Sequence, residues 1–359
     1  MSALKIGLFG CGSIARLVHL NILTRLPEVT VVALAEPDRQ RQAEARLRVP
    51  QAEIFADYQE LLERVEVDAV VICLPNALHA EAAIAVLQRG KPVYLEKPLA
   101  TNLEDGRRVL ATWRQAGVVG MVGLNLRFHK LFHIAKQHLQ ADRLGPLIGV
   151  RSTRSTAPYP LPPWKLDRRS GGGVLFDLAS HHLDLVHFLF ESAIREVYAE
   201  IRSQQSEGDS AMLQLRLANG LPIQAFFALN TVEEDRWEIY GRTGKLQIDR
   251  YASTEVEIIE PTPERARVTL VQRGLRTLAQ SPSLLRRLLT PNQEPSYRAA
   301  LAHFVDAVRA KRAGHPNLPN LPDLWDAYRS LAVIAAAEES ARIKQAVVMP
   351  DLIDEDFTR

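Results

Sequence analysis

The chain has 359 residues, 47% of them hydrophobic and 24% charged, a composition typical of a soluble globular enzyme, and its length favours two domains over a single hydrophobic core. No stretch approaches the roughly 20 uninterrupted apolar residues of a membrane span, and 44 basic against 42 acidic residues leave a formal charge of only +2. These figures exclude a disordered or membrane-embedded chain and a protein with the overall positive charge that binds nucleic acid, and they favour a small-molecule partner.

The N-terminus and the cysteines indicate a cytoplasmic protein. The first residues, MSALKIGLFGCGSIA, are apolar, but glycines interrupt them and a strand-loop-helix pattern begins at Leu4, so we expect no cleaved signal segment. Cys11 and Cys73 are the only cysteines, and they do not form the paired framework of a secreted domain.

Apolar runs of strand length alternate with longer helical patterns through residues 1–125. The runs are LKIGLFG, VTVVALAE, DAVVICLP, PVYLEKP and VVGMVGLN, separated by segments such as ALHAEAAIAVLQRG. This alternation is typical of successive βαβ units and predicts a parallel sheet covered on both faces.

The first run leads into residues 10–15, GCGSIA, a GxGxxA form of the dinucleotide fingerprint. Gly10 permits the tight turn, Gly12 lets the backbone approach a pyrophosphate at the helix N-terminus, and a small third residue lets the helix pack on the strand. Glu36 ends the second run 24 residues after Gly12, near the spacing of the acid that binds the ribose. A glycine-rich turn alone often only joins a strand to a helix, but this context predicts an NAD(P)-binding Rossmann domain at residues 1–125.

Glu36 favours NAD over NADP. A carboxylate accepts hydrogen bonds from a ribose 2′-hydroxyl and repels a 2′-phosphate. Arg39 and Arg41 follow closely; they can neutralise a phosphate or simply lie on the solvated face of the next helix.

The carboxyl ends of parallel strands meet at one edge of the sheet, where ligands bind. Asn76 alone suits a turn or helix cap, and His79 suits the first turn of a helix, but polar residues follow several of the apolar runs. The residues that we expect to bind the cofactor are Gly10, Gly12, Ser13, Ile14, Glu36, Pro75, Asn76, His79, Glu96, Lys97 and Asn125.

Lys97 stands at this edge, between Glu96 and Pro98. A lysine near a bound nicotinamide can donate hydrogen bonds to a substrate hydroxyl and stabilise negative charge on its oxygen. A surface lysine that happens to precede a proline is the alternative. Glu96 either orients Lys97 or merely ends the strand.

After about residue 145, alternating runs follow each other with short turns. Asn219-Gly220 and Thr243-Gly244 lie between such runs, as hairpin turns do. Helical patterns cover residues 174–190, behind the triple glycine 171–173, and residues 297–311 and 322–343. Residues 126–359 are therefore predicted to form an α+β domain with an open, predominantly antiparallel sheet, whose C-terminal helices can pack back on the first domain.

Asp177 and His181 are four residues apart on the predicted helix, hence on one face. There a neutral imidazole can accept a hydroxyl proton while the carboxylate fixes its tautomer or the substrate. The alternatives are a buried histidine of the core and a zinc site with His182, Asp184 and His187. The spacing is not that of a zinc signature and no cysteine lies nearby, so we predict no metal.

These motifs resemble those of the Gfo/Idh/MocA oxidoreductases, which include glucose-fructose oxidoreductase and inositol dehydrogenase. The resemblance covers nearly the full length, through GLFGCGSIA, LPNALHAEAAIAVLQRGKPVYLEKPLA, GLNLRF and GGGVLFDLASHHLDL. It implies a Rossmann domain followed by an open-faced α/β domain whose outer sheet surface often makes oligomer contacts. It also implies a cis Lys97–Pro98 peptide, with Lys97 similar to the catalytic lysine, Asp177 to the substrate-positioning aspartate and His181 to the general base. Glu36 stands where many members have aspartate.

The expected function is hydride transfer between NAD and a secondary alcohol or ketone of a polyol, cyclitol, sugar or nucleotide-linked sugar, by a homodimer or homotetramer. Two alternatives stay open: a non-catalytic dinucleotide sensor, and an enzyme that recycles tightly bound NAD within one turnover. The substrate-binding residues that we expect are Lys97, Arg127, Trp164, Asp177 and His181, with Tyr159, Lys165 and the Gly171 turn contributing to specificity.

One segment, residues 264–293, is longer than its counterpart in many relatives and is basic. It can contact a phosphate of a nucleotide-linked sugar. A solvated or subunit-contacting arm is the more usual meaning of a charge run. Its arginines are Arg265, Arg267, Arg273, Arg276, Arg286 and Arg287.

Overall fold

A computed structural model describes residues 2–261, 295–315, 321–350 and 352. The described residues form a six-stranded and an eight-stranded sheet with helices packed on both. The basic segment 264–293 lies outside them. Among the described residues, no helix is both long enough and apolar enough to cross a membrane.

The first sheet is parallel throughout, as the alternating pattern predicts. Its strand order is β3-β2-β1-β4-β5-β6. All four side chains of the AVVI strand are buried, because helices cover both faces of the sheet. The three-residue strand EIF was not predicted, since it is too short to show a hydrophobic period. The strands are β1 (Leu4–Phe9), β2 (Val29–Ala35), β3 (Glu53–Phe55), β4 (Ala69–Ile72), β5 (Val93–Leu95) and β6 (Gly120–Val122).

Side-chain caps set the starts of several helices around this sheet. Asp38, Asp57 and Asn102 each accept a hydrogen bond from a backbone N–H in the first turn of the following helix, which satisfies a donor that lacks an intrahelical acceptor. The helices are α1 (Leu20–Leu23), preceded by a π-helical turn (Ala15–His19), α2 (Arg39–Arg46), α3 (Tyr58–Arg64), α4 (His79–Gln88), α5 (Leu103–Ala116) and α6 (Lys130–Gln140).

The second sheet is mixed and mostly antiparallel, with β7 and β10 as its parallel pair. Both predicted hairpins are confirmed, since Asn219-Gly220 joins β9 to β10 and Thr243-Gly244 joins β11 to β12. In the order β13-β12-β11-β7-β10-β9-β8-β14, the strands are β7 (Leu147–Ser155), β8 (Ile194–Arg202), β9 (Ser210–Leu217), β10 (Pro222–Ala228), β11 (Glu234–Gly241), β12 (Gly244–Asp249), β13 (Glu257–Ile259) and β14 (Val347–Val348).

The helix predicted over residues 174–190 is observed as a π-helical turn (Leu175–Ala179) that continues into α7 (Ser180–Phe190). It packs on the inner face of the second sheet, where alternate side chains of β9 and β10 such as Leu213, Ala225 and Phe227 are buried. Single π turns inside helices occur often at functional sites, and this one contains Asp177.

The last two helices are α8 (Pro295–Arg312) and α9 (Leu324–Ile343). Leu301 and Phe304 of α8 join the same apolar cluster as Ile6 and Leu8 of β1. Helix α9 packs on both α5 and β8. Apolar contacts therefore run across residue 125, and the division of the chain at that point stays a prediction.

Candidate active site

The carboxyl edge of the first sheet has its switch point between β1 and β4, where the strand order reverses. Open α/β sheets bind their ligands at such a point. Gly10 lies there with a φ of 84°, and a Cβ at Gly10 would stand 2.6 Å from the carbonyl oxygen of Cys73. A side chain is thus excluded by both backbone conformation and contact.

Gly12 is a glycine for a different reason. A Cβ built there meets no atom of the described residues within 4 Å, so the backbone borders open space at the start of the π-helical turn. Helix-start N–H groups lack intrahelical acceptors, and such groups bind a pyrophosphate. Ser13 and Ile14 form the first helical residues behind this opening.

Glu36 completes this part of the site. It is only 3% exposed, and its carboxylate accepts hydrogen bonds from the backbone N–H groups of Cys11, at 2.7 Å, and Asp38, at 3.0 Å. Arg41 Nη1 lies 3.8 Å from Glu36 Oε1. The acid is therefore held against the glycine loop, in the place that suits a ribose. Open backbone at Gly12 and a fixed acid next to it fit a dinucleotide.

Two polar side chains that follow β4 contact backbone groups of neighbouring loops. Asn76, which follows Pro75, donates from Nδ2 to the Gly171 carbonyl at 2.8 Å. His79 is buried and its two ring nitrogens lie 2.6 Å from the Pro98 carbonyl oxygen and 2.9 Å from that of Leu74. Both side chains thus hold backbone segments together near the expected ligand.

Lys97, just after β5 of the first sheet, bonds to the helical segment that packs on the second sheet. Its peptide bond to Pro98 is cis, as the resemblance implied. Its Nζ donates to Asp177, at 2.6 Å to the backbone carbonyl and 3.1 Å to Oδ1. Burial lowers the pKa of Lys97, and Lys165 adds to this effect while Asp177 opposes it.

Asp177 accepts three side-chain donors. Besides Lys97, Lys165 Nζ lies 2.9 Å from Oδ1 and the Tyr159 hydroxyl 3.1 Å from Oδ2. Burial raises the pKa of Asp177, but the two ammonium groups outweigh burial and hold the pKa well below its usual range. The carboxylate is ionised and keeps both lysines in place.

His181 stands beside this cluster, 4% exposed. Its Nδ1 is buried with no hydrogen-bond partner among the residues that the structure describes. Burial, and next the charges of Arg154 and Lys97, lower its pKa well below the usual range. The imidazole is neutral at physiological pH and can accept a proton. No bond between Asp177 and His181 is present, so Asp177 pairs with lysines instead of fixing the His181 tautomer.

Glu96 makes a contact that the sequence did not predict. Its Oε1 lies 2.7 Å from Nε2 of His19, a fully buried histidine of the turn behind the glycine loop. The backbone N–H of Lys97 donates to Glu96 Oε2 at 3.3 Å. The Glu96 side chain therefore links the helix after the glycine loop to the loop that contains Lys97.

Other predicted site residues contact protein groups. Arg127 donates from Nε and Nη2 to Asp184, at 2.8 and 2.6 Å, and from Nη1 to Asp326 at 2.8 Å. These bonds join α7 to α9, which suits a structural role better than the expected substrate contact. Asn125 Nδ2 donates to Ser296 at 2.7 Å.

Trp164 lies with its ring centroid 5.6 Å from Lys165 Nζ. The ring therefore flanks one of the two ammonium groups that Asp177 holds. Its contact with a substrate stays a prediction.

A second buried cluster of charged side chains, around Asp235, was not predicted from the sequence. Asp235 lies 2.7 Å from Arg250 Nε and 3.1 Å from His182 Nε2, and Arg154 stands opposite Asp235 on the neighbouring strand. The sequence feature that could have revealed this cluster is a charged residue at an inward-facing position of a strand with alternating hydrophobicity. Among the described residues, no group of three or more His, Cys, Asp or Glu side chains is placed to hold a metal ion.

Two family models match the chain. The one described as an oxidoreductase family with an NAD-binding Rossmann fold covers residues 4–124. The one described as the Gfo/Idh/MocA C-terminal domain covers residues 132–247. Together they span both the glycine loop and the Asp177–His181 helix.

Curated relatives and solved structures agree with these matches. Myo-inositol 2-dehydrogenase of Thermotoga maritima is 28% identical over 255 residues, which are 68% of this chain and 72% of the relative. The 1,5-anhydro-D-fructose reductase of Ensifer adhaerens is 30% identical over 247 residues, 67% of this chain and 74% of the relative. The crystal structure of the WlbA dehydrogenase from Bordetella pertussis, in complex with NADH and UDP-GlcNAcA, superposes with a TM-score of 0.79 at 22% identity, covering 97% of this chain and 98% of that one.

Proposed function

Since this chain belongs to the Gfo/Idh/MocA oxidoreductase family, we propose that it transfers a hydride between NAD and a secondary alcohol or ketone of a sugar, cyclitol or sugar derivative. The observation that carries the proposal is the contact of Lys97, which follows β5 at the dinucleotide edge, with Asp177 of the helical segment that also contains His181. Inositol and anhydrosugar substrates of the relatives support the substrate class.

The bound nicotinamide supplies the hydride acceptor at its C4. His181, neutral because its pKa is lowered, takes the hydroxyl proton of the substrate as the carbinol C–H bond breaks. Lys97 donates a hydrogen bond to the same oxygen and stabilises its growing negative charge. Asp177 holds Lys97 and Lys165 in position.

NAD is preferred over NADP because of Glu36. Its carboxylate is buried, and hydrogen bonds from two backbone N–H groups fix its position. A 2′-phosphate would therefore lie next to its negative charge and be repelled. Arg41 lies 3.8 Å from the carboxylate and neutralises only part of its charge, because half of its side chain is exposed to water.

A homo-oligomer is the assembly that we propose. Met212 and Phe226 face each other on the outer face of the second sheet and are 60% and 39% exposed. Exposed apolar pairs on an otherwise uncovered sheet face favour burial against another subunit. Light scattering of the purified protein, compared with a Met212→Glu variant, distinguishes a dimer or tetramer from a monomer.

The activity is tested by absorbance at 340 nm, with NAD and NADP offered separately against polyols, aldoses, uronates and nucleotide sugars. Reduction of NAD by a substrate of this class, lost in a His181→Ala variant, supports the proposal. Absence of turnover with every class, while NAD still binds, would leave the non-catalytic sensor as the function. Stoichiometric nucleotide in the purified protein would instead indicate an enzyme that recycles its cofactor.

A further inference from the structure

Two nitrogens of the largely buried Arg154 guanidinium lack a hydrogen-bond acceptor among the described residues. Arg154 follows Val150 and Ser152 on β7 at alternate positions, so it faces inward like them. Its side chain is 13% exposed, and its Nε and Nη1 atoms are buried without a hydrogen-bond partner in the part of the chain that the structure describes. Burial of a guanidinium without acceptors costs folding free energy. An arginine at this position therefore points to a ligand that supplies the acceptors.

Asp235, the neighbour across the strands, does not fill this role. Its Oδ2 lies 3.7 Å from Arg154 Nε but 2.7 Å from Arg250 Nε. Its Oδ1 lies 3.1 Å from His182 Nε2. Arg250 and His182 therefore hold both carboxylate oxygens, and the distance to Arg154 exceeds a hydrogen bond.

Arg154 lies within electrostatic range of the proposed catalytic residues. Its Nε lies 3.7 Å from Asp235, which contacts Nε2 of His182, the residue next to His181, at 3.1 Å. Burial lowers the pKa of His181 and of Lys97, and the positive charge of Arg154 adds to both effects. It therefore belongs to the same cluster as the reaction centre, on the side formed by the second sheet.

The charges of this cluster do not balance. The cations are Lys97, Lys165, Arg154 and Arg250. The facing carboxylates are Asp177 and Asp235, and a third, Glu96, is bonded to His19. Among the described residues of this partly buried cluster, cations therefore outnumber carboxylates, and an anionic group of the substrate would neutralise the excess.

We propose that the substrate is a sugar acid whose carboxylate binds the guanidinium of Arg154 while its reacting hydroxyl lies between Lys97 and His181. This inference rests on the proposed function. A carboxylate matches the planar fork of an arginine and supplies the acceptors that Nε and Nη1 lack. A phosphate ester shares this chemistry; the carboxylate is the smaller anion and suits a side chain that is 13% exposed.

The test compares acids with neutral sugars of the same configuration. D-glucuronate is paired with D-glucose, D-galacturonate with D-galactose and D-mannuronate with D-mannose, and glucose 6-phosphate represents the phosphate esters. We expect the wild type to favour at least one acid by about 100-fold in kcat/KM, the effect of one buried charged hydrogen-bond pair. Arg154→Met should remove that preference, mainly through a higher KM for the acid.

Two further variants control for charge and fold. Arg154→Lys keeps the positive charge but lacks the planar guanidinium. Its preference for the acid over the neutral sugar should therefore fall between those of the wild type and Arg154→Met. Arg151→Met removes an arginine from the opposite, exposed face of β7 and should change neither substrate. Because Arg154→Met removes a largely buried charge with two nitrogens that lack acceptors, its thermal midpoint should match or exceed that of the wild type.

Several outcomes would overturn the inference while the proposed function stands. These are equal wild-type rates with acid and neutral sugar, an equal loss of both in Arg154→Met, or a preference for the sugar phosphate. If Arg154→Met fails to fold, the wild-type preference and Arg154→Lys decide. If no substrate is turned over, the proposed function fails. A thermal shift of the NAD-saturated protein by the three acids, present in wild type, smaller in Arg154→Lys and absent in Arg154→Met, then decides the carboxylate site on its own.

Discussion

The glycine loop and the Lys97 cluster bind different partners by different means. The glycine loop presents backbone groups, and its acid, Glu36, comes from the adjacent strand and bonds the loop directly. The Lys97 cluster brings together side chains 80 residues apart, Lys97 and Asp177, with buried charges of both signs. The glycine loop therefore depends on backbone shape, and the Lys97 cluster depends on the balance of buried charges.

The largest expected effect separates chemistry from cofactor binding. Lys97→Ala and His181→Ala should each lower kcat by about 100-fold or more, because each removes a group that acts on the substrate oxygen or its proton. NAD affinity, measured by fluorescence titration, should stay within about twofold, a change of about 0.4 kcal/mol.

Exposed residues of the same types serve as controls. Lys311 lies in the last turn of α8 and His315 three residues after its end, and both are exposed. Lys311→Ala and His315→Ala should leave turnover unchanged. Near wild-type turnover in both site variants would disprove the assignment of Lys97 and His181.

The second prediction concerns backbone shape at the glycine loop. Gly10→Ala should cost about 2–4 kcal/mol of unfolding free energy, from the positive φ and from a Cβ 2.6 Å from a backbone carbonyl oxygen. Gly220 has almost the same φ, 83° against 84°, but open space around its Cβ. Gly220→Ala should cost only about 1 kcal/mol. Equal losses in urea unfolding would mean that the contact with Cys73 is unimportant.

The third prediction concerns charge within the glycine-loop region. Glu36→Gln keeps the shape of the side chain but removes its charge, so NAD should bind about 10-fold to 50-fold more weakly, as expected for a lost charged hydrogen bond. The preference for NAD over NADP should shrink, since the repulsion of the 2′-phosphate is gone. Glu53→Gln, on the exposed start of β3, is the matched control. An unchanged preference would place the ribose elsewhere.

The smallest predicted effect is a pH dependence of the unfolding free energy that comes from His181, beside the Lys97 cluster. The native state keeps His181 neutral because its pKa is lowered, whereas the unfolded chain binds a proton below about pH 6.5. Stability therefore falls as the pH drops through that value. Between pH 7.5 and 5.5 the contribution of His181 is about 1.4 kcal/mol.

A His181→Gln variant isolates this contribution. The loss of unfolding free energy over the same pH interval should be about 1.4 kcal/mol smaller in the variant than in the wild type. An identical loss in both proteins would mean that His181 is already protonated in the native state at pH 5.5.

The sequence alone determined the local features of the protein. Period-two and helical patterns predicted the parallel sheet, both hairpins and the helix that carries Asp177, and the GxGxxA loop with Glu36 predicted the dinucleotide edge. These features depend on neighbours in sequence or on one adjacent strand, where hydrophobic period, turn chemistry and spacing carry the information.

Only the tertiary structure decided which buried polar groups meet. It paired Glu96 with His19 and Arg127 with Asp184 and Asp326. Among the described residues, it left Nε and Nη1 of Arg154 without a hydrogen-bond acceptor. A pattern of alternating residues shows that a side chain faces inward, but it does not show which distant charge lies opposite. Packing of the two sheets and the closing helices sets those distances, and the distances set the chemistry of the site.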